Sequence, residues 1–167
     1  MEGTTDIELF QKAIDGILLE IRPVRQMVTN ATLDFFSNYS VPDELQQLLI
    51  QNSFDRPFQV GHIWFNNSND VASQNLDEAN INCIKEGLLI IGCGLNGDPV
   101  VVDLHSLTVG FVFHDIIWEN TAVPARDAHV DLGLTIGQFY INAATEMDTF
   151  PVDAYEAEDI YSPEERK

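Results

Sequence analysis

Three apolar segments rich in β-branched residues follow one another between Leu88 and His114, and they constrain the fold more than any other part of the chain. The segments span residues 88–93, 100–104 and 109–114. Asn96-Gly97 lies between the first two, and both residues tolerate the positive φ angles of a type I′ hairpin turn. Residues 105–108 form the second connection. Connections this short join antiparallel neighbours, so the segments predict a three-stranded meander.

The same region contains Gly92, Gly94 and Gly97 in the spacing G-x-G-x-x-G, which is used to bind the pyrophosphate of dinucleotide cofactors. Such a site needs a helix directly after the glycines, because the N-terminal amides of that helix bind the phosphates. Here an Asp-Pro step and the β-branched run 100–102 follow, and they favour a strand. We therefore assign the glycines to a hairpin and expect no cofactor.

Helical periodicity is clearest at the start of the chain. Thr5 and Glu8 have the spacing of a capping box, and the amphipathic helix that follows them ends near Arg22 because Pro23 restricts the residue before it. The other predicted elements are helices over 24–39, 42–50, 77–85 and 134–147, and one strand over 58–65 that includes His62 and Trp64.

This order of elements predicts an α+β fold, an antiparallel meander sheet with helices packed on one side. A chain of 167 residues suffices for one domain with its own core. We assign residues 1–147 to that domain. Residues 148–167 are acidic and interrupted by prolines, so we expect a C-terminal tail that is partly disordered.

The charge of the chain restricts its partners. With 27 acidic and 8 basic residues the formal net charge is −19. Such a surface repels phosphate backbones and anionic membranes, so we expect no direct binding to nucleic acid or membrane. It attracts a basic protein through long-range electrostatics, although the same charge can serve solubility alone.

Features of targeting and redox chemistry favour a cytoplasmic protein. The N-terminal residues include acids where a signal peptide would have lysines, and no apolar run has the length of a membrane span. Cys83 and Cys93 form no disulfide framework and no metal-binding spacing, so reduced thiols are expected.

Two pairs of side chains could carry metal chemistry. Asp103 and His105 lie two residues apart at the end of one predicted strand, and His114-Asp115 closes the next strand. If the two pairs met, they would form a metal site of two acids and two imidazoles. A metal-dependent hydrolase is therefore one alternative function.

The chain resembles the SMI1/KNR4 (SUKH) superfamily over about residues 40–145. The matching stretches are VPDELQQLLIQN at 41–52, HIWF at 62–65, LLIIGCGLNGDPVVVDL at 88–104, VGFVFHD at 109–115 and LTIGQFY at 134–140. The resemblance implies an α+β fold and, for many bacterial members, an immunity protein that neutralises a toxin, often a nuclease. Eukaryotic members are similar to regulators of cell-wall synthesis that act through protein contacts. The family supplies no catalytic residues, and only structural roles follow for Trp64, Gly92, Gly97 and Asp98.

Charge and resemblance together predict a non-enzymatic immunity protein that binds the basic surface of a nuclease toxin. A metal-dependent hydrolase and a regulatory scaffold without a toxin are the alternatives. Each acid, taken singly, can also be an ordinary solvated surface residue. The candidate contacts are loop acids around the sheet, Asp70, Asp77, Glu78, Asp98, Asp115 and Glu119, and acids of the tail, Asp153, Glu156, Glu158 and Asp159.

Overall fold

The computed structural model describes residues 5–161, which form one antiparallel sheet with helices packed around it. The helices are α1 (Asp6–Ile21), α2 (Asn30–Asn38), α3 (Asp43–Gln51), α4 (Ser68–Leu76), α5 (Ile81–Lys85), α6 (His114–Glu119), α7 (Ile136–Thr145) and α8 (Ala154–Tyr161). The strands are β1 (Phe58–Val60), β2 (Ile63–Phe65), β3 (Leu88–Cys93), β4 (Pro99–Asp103), β5 (Val109–Val112) and β6 (His129–Leu134), and a 3₁₀ turn (Ala125–Ala128) precedes β6. The strand order is β1-β2-β3-β4-β5-β6 and each neighbouring pair is antiparallel, so the predicted α+β meander is confirmed.

The predicted strands β3, β4 and β5 form the centre of the sheet. Val100 pairs with Phe111 and Val102 with Val109, and the residues of β4 and β5 are all buried. Successive strand residues point to opposite faces, so both faces of the sheet are covered.

Different parts of the chain cover the two faces. On one face, Phe111 contacts Phe139 of α7 with ring centroids 5.8 Å apart, and α7 packs against α1. On the other face, Asp103 binds Arg126, which belongs to the 113–128 connection between β5 and β6. The expectation of helices on one side is therefore incomplete, because this connection also covers the sheet.

The β3–β4 hairpin forms where it was predicted, but its turn is of another type. Gly97 N–H donates to the Gly94 carbonyl at 3.2 Å, and Gly94 N–H donates to the Asp98 carbonyl at 2.9 Å. Gly97 has a φ of 93°, whereas Asn96 keeps a negative φ. This is a three-residue loop with a glycine bulge rather than a type I′ turn.

The segment predicted as one strand over 58–65 is instead a tight hairpin. Phe58 pairs with Phe65 across it, and Gly61 in the turn has a φ of 63°. Gly61 also lies against the backbone of α7, where a Cβ atom would be 2.1 Å from the Ala143 carbonyl oxygen. Trp64 is half-buried at the side of the sheet and is not a core residue.

The strongest helix signals are reproduced by the structure. Thr5 and Glu8 form the predicted capping box of α1, α7 lies within its predicted range, and α3 ends one residue beyond its predicted end, at Gln51. The helix predicted over 24–39 begins only at Asn30, because Gln26 N–H donates to the Ser53 carbonyl and holds this part extended. Elements that the sequence did not indicate are α4, α6, β6 and α8.

The segment after residue 147 is part of the folded domain. Phe150, Ala154 and Ala157 are buried, and α8 packs on β5 and β6. Leu95 N–H donates to the Val152 carbonyl at 2.9 Å. The predicted domain boundary at 147 is therefore wrong, and so is the prediction of a partly disordered tail for residues 148–161. Residues 162–167 lie outside the described part of the chain. Within residues 5–161, no helix combines the length and apolar character needed to cross a membrane.

Candidate protein-binding site

The four residues of the alternative metal site do not meet. Asp103 lies beside the β4–β5 turn, whereas His114 follows the opposite end of β5 and lies beside Asp98. Five residues of extended strand separate these two ends, a distance on the order of 15 Å. The predicted cluster of Asp103, His105, His114 and Asp115 is therefore wrong. Because β4 and β5 are antiparallel, their C-terminal ends lie at opposite ends of the strand pair.

Asp103 instead forms an ion pair with Arg126. The two guanidinium nitrogens donate to its carboxylate oxygens at 2.8 and 3.1 Å, and His105 N–H donates to it at 2.9 Å. The hydrogen bonds from Arg126 lower the pKa of Asp103 from 3.8 to about 2 despite its partial burial. This pair fixes the 113–128 connection on the sheet.

Asp98 is a buried structural residue and not a contact for a partner. Its side chain is fully buried and accepts four hydrogen bonds, from the amides of His114 and Ala154, from Asn96 Nδ2 and from His114 Nδ1. The Nδ1 contact measures 2.5 Å. One carboxylate thus joins the hairpin, α6 and α8, and the prediction that Asp98 contacts a partner is wrong.

Asp115 extends this connection between α6 and α8. Its Oδ2 atom accepts a hydrogen bond from the Tyr155 hydroxyl at 2.6 Å, which is the main reason why the pKa of Tyr155 is raised. Side-chain atoms of Asp98, His114 and Asp115 lie within 4.8 Å of one another, close enough to surround a cation. A cation would have to displace the donors that Asp98 already binds, so the group fits a hydrogen-bonded junction better than a metal centre.

Trp118 is held at the surface by two contacts. Its ring meets the His114 ring edge to face with centroids 4.8 Å apart, and its indole N–H donates to Asn80 Oδ1 at 3.0 Å. The residue is nevertheless 49% exposed. An aromatic ring with a fixed orientation and free surface is typical of an anchor for a protein partner.

Four of the predicted partner contacts lie near Trp118. Asp77 and Glu78 are exposed in the turn that leads to Asn80, Glu119 is exposed beside Trp118, and Asp115 lies one helical turn earlier. We call these four acids together with Trp118 and Tyr155 the Trp118 surface. Asp70 is not part of it, since it lies in the first turn of α4, about 10 Å from Asp77 along the helix.

Three of the four acids predicted in the tail belong to α8, and Asp153 directly precedes it. Asp153 Oδ1 accepts from Glu156 N–H at 2.8 Å and Glu156 Oε2 accepts from Val152 N–H at 3.1 Å, so both acids cap the start of the helix. Glu158 and Asp159 lie within α8. Asp153 contributes to the negative field at Tyr155 and thus lies near the edge of the Trp118 surface.

The second half of the chain has almost no basic residues to compensate its acids. Between residues 86 and 161 the sequence has thirteen acids and one basic residue, Arg126, which is bound to Asp103. A surface of this kind attracts cations over several ångströms of solvent.

Two of the residues predicted to have structural roles, Trp64 and Gly92, lie against each other in neighbouring strands. A Cβ atom on Gly92 would lie 1.9 Å from the carbonyl oxygen of Trp64, and that oxygen accepts a hydrogen bond from the Tyr140 hydroxyl at 3.2 Å. Sequence reasoning missed Trp118 and Tyr155, which lie in segments without clear periodicity. The one sequence signal for them is that each is an aromatic residue directly before an acid, Trp118 before Glu119 and Tyr155 before Glu156, in a chain with few basic residues.

Comparison with protein-family models, curated protein sequences and solved structures finds no significant match to the chain. The resemblance to the SUKH superfamily therefore stays a prediction.

Proposed function

We propose that this protein is a non-enzymatic binding module that recognises a basic protein through the Trp118 surface. The observation that carries the proposal is the position of Trp118. Its contacts with His114 and Asn80 hold it half exposed. Exposed acids lie close by in the chain, Asp77 and Glu78 before Asn80 and Glu119 directly after Trp118.

The chemistry of this surface matches what protein recognition requires. A pre-oriented aromatic side chain gives contact area at little cost in conformational entropy. Acids around it increase the association rate with a basic partner and discriminate against acidic ones. The buried Asp98 below α6 keeps the surface rigid, because it binds α6, α8 and the hairpin at once.

The specific form that we propose is an immunity protein that neutralises a nuclease toxin in the cytoplasm. A nuclease is basic along its substrate channel, so an acidic surface can occupy the path of the phosphates without any catalytic step. The formal charge of −19 and the resemblance to the SUKH superfamily support this form. A regulatory scaffold would use the same surface with another basic partner.

A pull-down on the immobilised chain at low and high salt tests the proposal. We expect a basic protein that is retained at low salt and released at high salt, because salt screens exposed charges. If the captured protein is a nuclease, addition of this protein at equimolar amount is expected to abolish its activity. Capture of the same partner by a Trp118→Ala variant with unchanged affinity would contradict the assigned surface.

A further inference from the structure

An open pocket lies directly beside Trp118. Its volume is about 220 Å³, and it lies between α6, the α4–α5 turn and the β3–β4 hairpin. Among the nine residues that line it are Asn66, Gln74, Asn80, Ile90, Pro99 and Trp118. The structure thus places a concave site within the surface that we assign to partner binding.

The walls of the pocket combine amides with apolar side chains. Asn66 Nδ2 donates to Gln74 Oε1, and Asn80 Nδ2 donates to the Gln74 main-chain carbonyl at 3.1 Å. Gln74 Oε1 and Asn80 Oδ1 each accept one hydrogen bond, from Asn66 Nδ2 and from the Trp118 indole. An amide oxygen has two lone pairs, so both oxygens can accept a further hydrogen bond from a ligand that donates N–H groups. Ile90 and Pro99 supply an apolar wall.

Exposed acids lie close in sequence to two residues that line the pocket. Asp77 and Glu78 precede Asn80, and Glu119 follows Trp118. The face of a Trp ring binds a cation more strongly than the face of Tyr or Phe does. The pocket therefore combines an aromatic face, an oxygen acceptor and nearby carboxylates, and each of these favours a planar cation with several N–H donors.

We propose that this pocket receives an arginine side chain of the basic partner. Arginine fits better than lysine because its guanidinium is planar, stacks on aromatic rings, donates up to five hydrogen bonds and is more weakly hydrated than an ammonium group. Its aliphatic stem would contact the apolar wall. The inference rests on the proposed function and adds the chemistry of the residue that anchors the partner.

The test uses the full chain and three short capped peptides that differ only in arginine, lysine or citrulline. Binding is followed by NMR through the indole N–H of Trp118, and the indole N–H of Trp64 serves as an internal reference. We expect the arginine peptide to shift the Trp118 signal and to bind about fivefold or more tightly than the lysine peptide. Citrulline has the same shape without charge and is expected not to bind.

Two substitutions of the half-exposed Trp118 distinguish binding of arginine in the pocket from a general attraction of cationic peptides to the acidic surface. Trp118→Ala is expected to reduce the preference for arginine over lysine to about one, whereas Trp118→Phe, which keeps an aromatic face, retains part of it. Equal binding of both cationic peptides without a shift of Trp118 would overturn the pocket proposal and leave the acidic surface as the binding site. Absence of any binding to the cationic peptides would overturn the pocket proposal as well, and the pull-down then decides the proposed function separately.

Discussion

The carboxylate of Asp98, at the start of β4, lies 2.5 Å from Nδ1 of His114, the first residue of α6. The same carboxylate accepts the amide N–H groups of His114 and Ala154. A buried acid with four donors orients a neighbouring imidazole as an acid does in many active sites, but here it also determines where α6 and α8 begin. The position of Trp118, one turn further along α6, follows from this junction.

Replacement of Asp98 by Asn is expected to lower the free energy of unfolding by about 2–4 kcal/mol. The amide group replaces one acceptor oxygen with two donors, so at least one buried N–H loses its partner. Unfolding in urea measures the effect. Asp34→Asn, at an exposed position of α2, is the control and should stay within about 0.5 kcal/mol of the wild type. A comparable loss of stability in both variants would contradict the role of Asp98 in joining the hairpin, α6 and α8.

The ion pair of Asp103 and Arg126 predicts an acid-sensitive part of the stability. The folded-state pKa of Asp103, about 2, lies below its ordinary 3.8, so its contribution is present above about pH 4 and is lost as the pH falls toward 2. We expect the wild type to lose about 1–2 kcal/mol more than Asp103→Asn over this range, since the Arg126 side chain is 38% exposed and solvent screens the pair. Urea unfolding at several pH values measures it, and parallel pH curves for the two proteins would refute the assignment.

Gly61 is expected to tolerate no side chain. Alanine there would have a φ of 63° and a Cβ atom against the Ala143 carbonyl, so Gly61→Ala should lower the free energy of unfolding by about 2–4 kcal/mol. Gly16→Ala is the matched control, because Gly16 lies in α1 with no atom near an added Cβ, and it should stabilise by up to about 1 kcal/mol. Thermal unfolding of both variants checks the difference in sign, and a neutral Gly61→Ala would contradict the hairpin.

The docking of α8 is tested by a buried and an exposed position of the same helix. Ala157→Asp would bury a carboxylate against β6 and should destabilise the protein by about 2–4 kcal/mol. Ile160→Asp, at a residue that is 51% exposed, should change stability by no more than about 0.5 kcal/mol. If α8 did not pack on the sheet, both variants would unfold at the same urea concentration as the wild type.

The sequence predicts the parts of the fold that have strong local signals. The runs around Val100 and Val109 indicate β4 and β5, and the capping box of Thr5 defines the start of α1. Short elements such as α6 and β6 are missed, because six residues give too little periodicity to distinguish them from a loop.

The candidate site depends on contacts between residues far apart in the chain. Asn80 meets Trp118 across 38 residues, and Asp98 meets Ala154 across 56. No local pattern indicates such contacts, so the sequence could name the acids Asp77 and Glu119 but not show that the turn after Asp77 meets the helix that includes Glu119. It also grouped the buried Asp98 with these exposed acids, because residue type alone does not reveal burial.

Two charge reversals distinguish the Trp118 surface from the net charge of the protein as the cause of binding to the captured basic partner. Asp77→Lys/Glu78→Lys changes the Trp118 surface, and Glu20→Lys/Asp34→Lys makes the same change in net charge at exposed positions of α1 and α2. Association rates measured at low salt should fall about tenfold or more for the first variant and by less than about threefold for the second. Equal rates for the two variants would show that only net charge attracts the partner and would contradict the assignment of the Trp118 surface.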